Sequence, residues 1–237
     1  MGTDRTRRTA GRVGLACALL LQLIAAAQEK ALPIFPMTKG TTWIYAAHVK
    51  AAQPNSDQIL EADVRWTMTV LDSTEDGRVS AALLRGSPWD LSWYTPETRP
   101  QEFLIVRAGA DYYLVHARVR EWFDTFRRGL NDEPEDELAS DLWFHTPLKI
   151  GDAACPPDIA QDLQPMYCWL VEDIVKDSKS NVKGLKRINS GYLLSLRTNP
   201  EHVFMTLVPG VGITSWVYAH HGTTSEAELR LIEFHKR

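Results

Sequence analysis

Cysteine is scarce in this sequence, and several motifs of metal sites and enzymes are missing. The 237 residues include three cysteines and contain no C-x-x-C, H-x-H or H-E-x-x-H pattern, which removes the usual signals of a zinc site. Neither G-x-S-x-G nor G-x-G-x-x-G occurs, so the nucleophile elbow of α/β-hydrolases and the dinucleotide-binding loop are also absent. The sequence therefore predicts no metal centre and no cofactor.

Long apolar runs are scarce too, and the only marked one lies near the N-terminus. Four arginines between Arg5 and Arg12 precede the apolar run 13–27, which ends in three alanines. A basic segment, a short apolar core and small residues are typical of a secretory signal peptide, and a membrane span needs about 20 apolar residues. We expect cleavage near Ala27, a mature chain 28–237 without a membrane span, and a secreted or periplasmic location.

The three cysteines have different expected fates. Cys17 lies inside the apolar run, but Gly14 stands where a bacterial lipoprotein signal has Leu, so lipid attachment is the less favoured interpretation. Cys155 and Cys168 remain in the mature chain, 13 positions apart. An exported protein with two thiols favours one disulfide between them. The alternative is a nucleophilic or metal-bound thiol.

The charge balance argues against nucleic acid as a partner. Removal of residues 1–27 takes away four arginines and Asp4, so the 26 basic and 30 acidic residues become 22 and 29, a net charge of −7. An acidic chain repels phosphate backbones unless its basic residues form one patch. The two basic clusters are interleaved with acidic or small polar residues, and we interpret them as solvated surface. They comprise Arg118, Arg120, Arg127 and Arg128, and Lys176, Lys179, Lys183, Lys186 and Arg187.

Alternation of apolar and polar residues dominates the mature chain. In segment 61–72, Val64, Trp66 and Met68 share one face, while charged residues and threonines occupy the other. Such short segments, separated by Gly, Pro, Asn and Asp, predict a mainly β fold, an antiparallel curved sheet or open barrel. The predicted strands are 42–50, 61–72, 78–85, 91–94, 102–107, 111–117, 167–175, 192–197, 202–208, 213–220 and 227–234.

One segment has helical spacing instead. Val119, Trp122, Phe123 and Phe126 recur on one face of a helix that Gly129 would end. A second short helix is expected to begin near Pro134, within an acidic first turn, and to reach Leu142 or Trp143. The sequence thus predicts a single mainly β domain over 28–237 with a helical insertion at about 118–143.

The two β-rich halves begin alike, which favours two related halves. Residues 36–45 read P-M-T-K-G-T-T-W-I-Y, and residues 147–151 read P-L-K-I-G. The first pattern resembles the P-L-x-x-G-x-x-W-x-Y start of uncharacterised bacterial secreted β-proteins, and residues 209–218 and 228–234 resemble their closing G-x-G turn and strand pair. Such proteins are similar in outline to curved periplasmic sheets of the lipoprotein-carrier kind. The resemblance implies a fold and transfers no catalytic residue.

Aromatic residues supply the leading candidate for a ligand site. Trp89, Trp93 and Tyr94 lie in a segment bracketed by prolines, and an extended chain would place Trp89 and Trp93 on one face. Such a platform can stack on a sugar or an apolar ligand. The alternative is that these rings cover the core of a broad sheet, the commoner position of tryptophan.

The adjacent His220 and His221 supply the second candidate. On a strand they would point to opposite faces, so we interpret them first as the end of a strand beside a turn. His220 is retained as a ligand-binding candidate. The alternative joins His220 or His221 to a carboxylate or a distant histidine in a secreted hydrolase or metal-dependent enzyme. The sequence favours a non-catalytic binding or envelope-associated protein with an apolar or carbohydrate ligand, and an interaction module is a third candidate.

Overall fold

The computed structural model describes residues 33–52, 58–90, 99–129, 136–159, 165–176, 178–222 and 225–237. The predicted signal peptide 1–27, Cys17, and the predicted strand 91–94 with Trp93 and Tyr94 lie outside the described residues. From Ile34 to Arg237 the chain forms one compact unit. No helix within the described ranges has the length and hydrophobicity that crossing a membrane requires.

Twelve of the fourteen described strands form one antiparallel sheet, as the sequence predicts. In spatial order they run β6-β5-β4-β3-β2-β1-β14-β13-β12-β11-β8-β7, while β9 and β10 form a separate pair. The edge strands β6 and β7 lie against each other, so the sheet curls into a nearly closed barrel. The strands are β1 Thr42–Ala52, β2 Ile59–Asp76, β3 Val79–Arg85, β4 Glu102–Ala108, β5 Asp111–Val115, β6 Leu142–His145, β7 Ala153–Ala154, β8 Trp169–Val175, β9 Ser178–Lys179, β10 Arg187–Ile188, β11 Gly191–Arg197, β12 Glu201–Val208, β13 Gly212–His220 and β14 Ser225–His235.

The strand order shows two six-stranded meanders joined end to end. β1 to β6 follow one another across the sheet, and β7, β8 and β11 to β14 do the same. Their entrances share a local structure: Gly40 N–H donates to Val70 O at 2.9 Å, and Gly151 N–H donates to Val171 O at 2.9 Å. Both glycines have positive φ, 85° and 89°. The shared P-x-x-x-G pattern therefore marks equivalent turns, which supports the hypothesis of related halves.

The helical insertion is smaller than the sequence predicts. Helix α1, Val119–Arg127, forms where the spacing of Phe123 and Phe126 indicates, and both side chains are buried. The second predicted helix does not extend to Leu142 or Trp143, because a 3₁₀ turn at Ala139–Asp141 leads directly into β6. In β6, Trp143 and Phe144 are both buried, and the backbone pairs with β5. The predicted helix start near Pro134 lies outside the described residues, and from Leu142 onward sheet hydrogen bonds and core packing give a strand.

The interior of the barrel is the main hydrophobic core. Along β1, alternate residues point inward, and Trp43, Tyr45 and Val49 are 0%, 0% and 1% exposed. Their polar atoms are paired: Trp43 Nε1 donates to Val211 O at 2.6 Å, and Tyr45 Oη donates to Ile213 O at 3.0 Å. The outer face of β3, β4 and β5 carries a second cluster, which α1 covers with Phe123 and Phe126. Both faces of the sheet are therefore buried at β3, β4 and β5.

The segment between β9 and β10 pairs with β14 through an isolated bridge from Lys183 to Glu233. Lys183 N–H donates to Ile232 O at 2.9 Å, and Phe234 N–H donates to Lys183 O at 2.8 Å. Gly184 makes this approach feasible, since a Cβ at this position would lie 2.0 Å from Phe234 O, and its φ is 93°. The same approach brings the Lys183 ammonium group to Glu233, Nζ to Oε1, at 2.9 Å.

Glu233 contacts two cationic side chains and one histidine on the outside of the barrel. Besides Lys183, His235 contacts its Oε1 at 2.7 Å and Arg65 its Oε2 at 3.0 Å. Hydrogen bonding from Lys183 and then from His235 lowers the pKa of Glu233 from 4.5 to about 2. A carboxylate with a depressed pKa in the folded state stabilises the fold above the unfolded pKa and loses this contribution as the pH falls toward the folded value.

We expect Glu233→Gln to lower the melting temperature at pH 7. The difference from the wild type should shrink as the pH falls from about 4.5 toward 2, because the wild-type carboxylate becomes protonated over this range. Thermal unfolding followed by circular dichroism over this range tests it. Glu226→Gln, an exposed carboxylate on the same strand, is the control. A difference for Glu233→Gln that does not change with pH would contradict the prediction.

The predicted disulfide is present. Cys155 and Cys168 are bonded, with their Cα atoms 4.3 Å apart. Cys168 is buried and immediately precedes Trp169, the first residue of β8. The bond therefore fixes the chain that leads into a core strand next to one edge of the sheet.

Candidate functional site

The turn that follows β3 forms the candidate site, and its backbone is held at several points. Gly86 has a φ of 83° and passes so close to β2 that a Cβ would lie 2.2 Å from Thr67 O. Trp66 Nε1 donates to Gly86 O at 2.9 Å, and Asp90 N–H donates to Ser87 O at 2.8 Å. These contacts direct the intervening Trp89 toward the end of the barrel where β3 ends and β4 begins.

Trp89 packs against tryptophans from the second half of the chain. Its ring centroid lies 5.4 Å from that of Trp216 on β13 and 5.7 Å from that of Trp169 on β8. Trp169 in turn lies 6.4 Å from Trp143 on β6. Offset and edge-to-face ring contacts of this kind add to the stabilisation that comes from burial. Trp89 itself remains half-buried, so one part of its ring belongs to the surface.

A pocket of about 330 Å³ opens beside Trp89. Aromatic rings and groups that form hydrogen bonds line it together, the combination that small-ligand sites use. We call it the Trp89 pocket; its lining residues are Ser87, Trp89, Asp90, Gln101, Glu102, Phe103 and His116.

The carboxylates of the Trp89 pocket are fixed by their neighbours. Asp90 is 8% exposed, and its Oδ2 accepts a hydrogen bond of 2.5 Å from Gln101 N–H. Glu102 accepts two hydrogen bonds from Arg120, at 2.5 and 2.6 Å, and one from Arg85 at 2.9 Å. Hydrogen bonding from Arg120, with a smaller effect from Arg85, lowers the pKa of Glu102. Asp90 is held in position beside the pocket, whereas the Glu102 carboxylate lies on the α1 side of β4, opposite Phe103, and is occupied by the two arginines.

His116 stands at the mouth of the same pocket. Its ring stacks on Phe103 with centroids 6.0 Å apart and meets Trp89 edge-on at 6.2 Å. Part of the side chain faces solvent, yet crowding by these neighbours desolvates the ring and lowers the pKa of His116, while the Asp90 carboxylate opposes this effect. The imidazole is therefore neutral at pH 7 and offers one donor and one acceptor.

Two buried indole N–H groups lie within the tryptophan cluster beneath Trp89. Trp143 and Trp216 are 1% and 2% exposed. In the part of the chain that the structure describes, neither Nε1 has a hydrogen-bond partner. The cluster thus combines apolar ring faces with two donors.

The residues that the sequence analysis identified as site candidates lie at different places in the structure. Trp89 lies in the pocket, whereas Trp93 and Tyr94 are outside the described residues. His220 is half-buried at the end of β13, on the inward side that Trp216 and Tyr218 share, and pairs with Glu201 of β12. Trp89 and His220 therefore belong to different halves of the chain, and His220 is not among the described residues that line the Trp89 pocket.

His221 contacts another histidine. His221 Nε2 lies 3.2 Å from His202 Nδ1. Desolvation, reinforced by His221 and Arg197, lowers the pKa of His202. Among the described residues, no three His, Cys, Asp or Glu side chains come together in a way that could hold a metal ion. The hydrolase alternative, with His220 or His221 beside a carboxylate, stays an untested prediction.

Other histidines meet carboxylates on exposed positions of separate strands. His48 Nδ1 lies 2.9 Å from Asp63 Oδ1, and His145 Nδ1 lies 2.7 Å from Asp111 Oδ1. Hydrogen bonding to Asp63 raises the pKa of His48. These contacts are cross-strand pairs between sheet neighbours, and neither residue pair lines the Trp89 pocket.

Sequence reasoning missed Phe103 and His116 as site residues. They lie on β4 and just after β5, and only the sheet pairing brings these ends next to the turn after β3. The sequence feature that could have identified them is local: both are large rings near the ends of predicted strands.

Comparisons with known proteins give no family for this chain. No protein-family model matches it, and no curated protein matches it. Among solved structures it is similar to a candidate lipoprotein from Parabacteroides distasonis, with 11% identity and a TM-score of 0.39, and to a candidate exported protein with a YmcC-like fold from Bacteroides fragilis, with 10% identity and a TM-score of 0.40. Each likeness covers 87% of this chain and 100% of the other. Since both TM-scores lie below 0.5, neither likeness bears on the function of this chain.

Proposed function

We propose that this is an exported, non-catalytic binding protein that holds a carbohydrate or an apolar ligand in the Trp89 pocket. Export is supported by the basic and apolar segments of residues 1–27 and by the Cys155–Cys168 disulfide, a bond typical of oxidising compartments. The observation that carries the binding proposal is the half-buried Trp89 ring beside a pocket that the fixed Asp90 carboxylate also lines.

The chemistry of the pocket matches a ligand with both apolar faces and hydroxyl groups. The half-buried ring of Trp89 offers a flat apolar surface on which the C–H face of a sugar, or an aliphatic chain, can pack. The Asp90 carboxylate can accept a hydrogen bond from a hydroxyl group, and neutral His116 can donate or accept one. Fixed polar groups in a mainly apolar pocket give orientation and specificity, while burial of apolar area gives affinity.

The position of the pocket also suits a binding protein. Trp89 bridges strands from both halves of the chain, through Trp216 and Trp169. A ring held by two partners loses little conformational freedom when a ligand packs against it, and such preorganisation favours affinity.

Trp89→Ala should weaken ligand binding roughly tenfold, because an aromatic contact of about 1.4 kcal/mol corresponds to a factor of ten in Kd. Isothermal titration calorimetry of the mature chain tests it with two probes: the trisaccharide of N-acetylglucosamine and the neutral apolar dye N-phenyl-1-naphthylamine. Binding of the first probe supports a carbohydrate ligand, and binding of the second supports an apolar one.

Trp122→Ala is the matched control, since Trp122 is also half-buried but packs on Phe126 of α1 at the outer face of the sheet. Its affinity for either probe should equal that of the wild type. Equal losses in both variants, or no binding of either probe to the wild type, would overturn the proposed site.

A further inference from the structure

His202 and His221 meet at the end of the barrel where β12 begins and β13 ends. The nitrogen atoms Nδ1 of His202 and Nε2 of His221 are 3.2 Å apart, and the ring planes are nearly perpendicular, at 81°. Both side chains are exposed enough for a small ion in solution to reach them. The contact joins residues 19 positions apart, so the fold and not local sequence creates it.

The backbone holds both histidines in place. His202 pairs with Ala219 in the ladder between β12 and β13. His221 N–H donates to Pro200 O at 2.8 Å, so the residue after β13 is tied to the residue before β12. Thr198 N–H also donates to Glu201 O at 2.7 Å, and this bond closes the turn before β12. Backbone hydrogen bonds therefore hold the chain that carries the two rings. The rings are preorganised for a ligand compared with rings on a flexible loop.

The separation of the two nitrogens, which allows a hydrogen bond between the rings when no ion is bound, is also compatible with a shared metal ion. Imidazole nitrogens bind Zn²⁺ at about 2.0–2.1 Å, so two of them in a tetrahedral shell lie about 3.3 Å apart. The observed 3.2 Å agrees with this spacing. Binding needs a lone pair on each of the two nitrogens, and a neutral imidazole supplies one when its proton sits on the other ring nitrogen.

We infer that His202 and His221 form a two-histidine site for a divalent transition-metal ion such as Zn²⁺, with solvent completing the shell. The ligand set consists of imidazole nitrogens, which suit Zn²⁺, Ni²⁺ and Cu²⁺ rather than Mg²⁺ or Ca²⁺. The two cysteines that the structure describes are bonded to each other, so within that part of the chain no thiolate competes for the ion. This inference does not depend on the Trp89 pocket.

Calorimetric titration of the tag-free mature chain with Zn²⁺ at pH 7.5 tests the site. The wild type should bind one ion per chain. His202→Gln and His221→Gln should each weaken binding at least about tenfold, since even loss of a supporting partner of a metal ligand costs about 10- to 100-fold in affinity. Glutamine keeps the size and a hydrogen-bonding group, and both sites are exposed, so the variants should fold.

His145→Gln is the control, because His145 is, like His221, an exposed histidine but contacts Asp111 on another part of the sheet. Its Zn²⁺ affinity should match the wild type. As a second readout, Zn²⁺ should raise the melting temperature of the wild type and of His145→Gln but not of the two other variants. No binding to the wild type, or equal affinities for His202→Gln and the wild type, would overturn the inference.

Discussion

Trp43→Ala should lower the free energy of unfolding by about 3–5 kcal/mol, the usual cost of truncating a large aromatic side chain in a core. Trp43 is 0% exposed in the barrel interior. Its ring packs on Phe35 at 5.1 Å and on Phe234 at 5.7 Å, so it joins the N-terminal segment to the last strand. Denaturant unfolding of the mature chain, followed by circular dichroism, measures the change.

Part of this cost comes from the loss of a hydrogen bond. A second variant separates that cost from the cost of the cavity. Trp43→Phe keeps most of the apolar volume but removes the donor to Val211 O, and a buried unsatisfied group costs about 1–3 kcal/mol. It should therefore be less destabilising than Trp43→Ala. Trp122→Ala, at a half-buried position on the outer face, is the control for loss of an indole. A cost for Trp43→Ala no larger than that of the control would contradict the assignment of Trp43 to the core.

The strands were predictable because the alternation of apolar and polar residues along the chain indicates which face of a strand is buried. Predicted strand 213–220 corresponds to β13, Gly212–His220, and predicted strand 102–107 to β4, Glu102–Ala108. Helix α1 was predictable for the same reason, since Phe123 and Phe126 recur at helical spacing and are buried. Each of these signals depends on neighbours along the chain and needs no knowledge of the rest of the fold.

The joining of the two halves into one sheet could not be predicted in this way. Pairing of β1 with β14 joins residues such as Trp43 and Phe234, whose separation in sequence carries no local signal. The meeting of His202 with His221 also depends on the register of β12 and β13. Similarly, acidic residues near Pro134 indicate a helix start, whereas burial of Trp143 in the barrel favours a strand. Tertiary packing decides where local preferences conflict.

The same distinction between local and long-range signals explains how much of the Trp89 pocket could be predicted from the sequence. Trp89 was identifiable as a ligand candidate from its aromatic neighbourhood in the chain. Its contacts with Trp169 and Trp216 come from the other half, and the sequence alone left a ligand platform and a core cover as alternatives. The structure gives Trp89 features of both, because one part of the ring packs on the cluster and another borders the pocket.

Replacing both Cys155 and Cys168 with serine should lower the free energy of unfolding by about 3 kcal/mol, the chain-entropy estimate for a loop of roughly this length. The bond links residues 13 positions apart and so restricts the unfolded chain. Denaturant unfolding measures the loss, and reduction of the wild type with dithiothreitol should produce a loss of the same size. A change below about 1 kcal/mol would show that the bond contributes little.

The double variant should also weaken probe binding, because the disulfide and the Trp89 pocket are connected through one residue. Cys168 is 1% exposed and directly precedes Trp169, whose ring contacts Trp89 edge-on at 5.7 Å. Loosening the start of β8 frees the Trp169 ring, and the Trp89 ring then loses one of its two partners from the second half. Calorimetry under conditions where the variant is still folded separates this effect from unfolding. Unchanged affinity there, together with lost affinity in Trp89→Ala, would show that Trp216 alone is sufficient to hold Trp89 in its binding position.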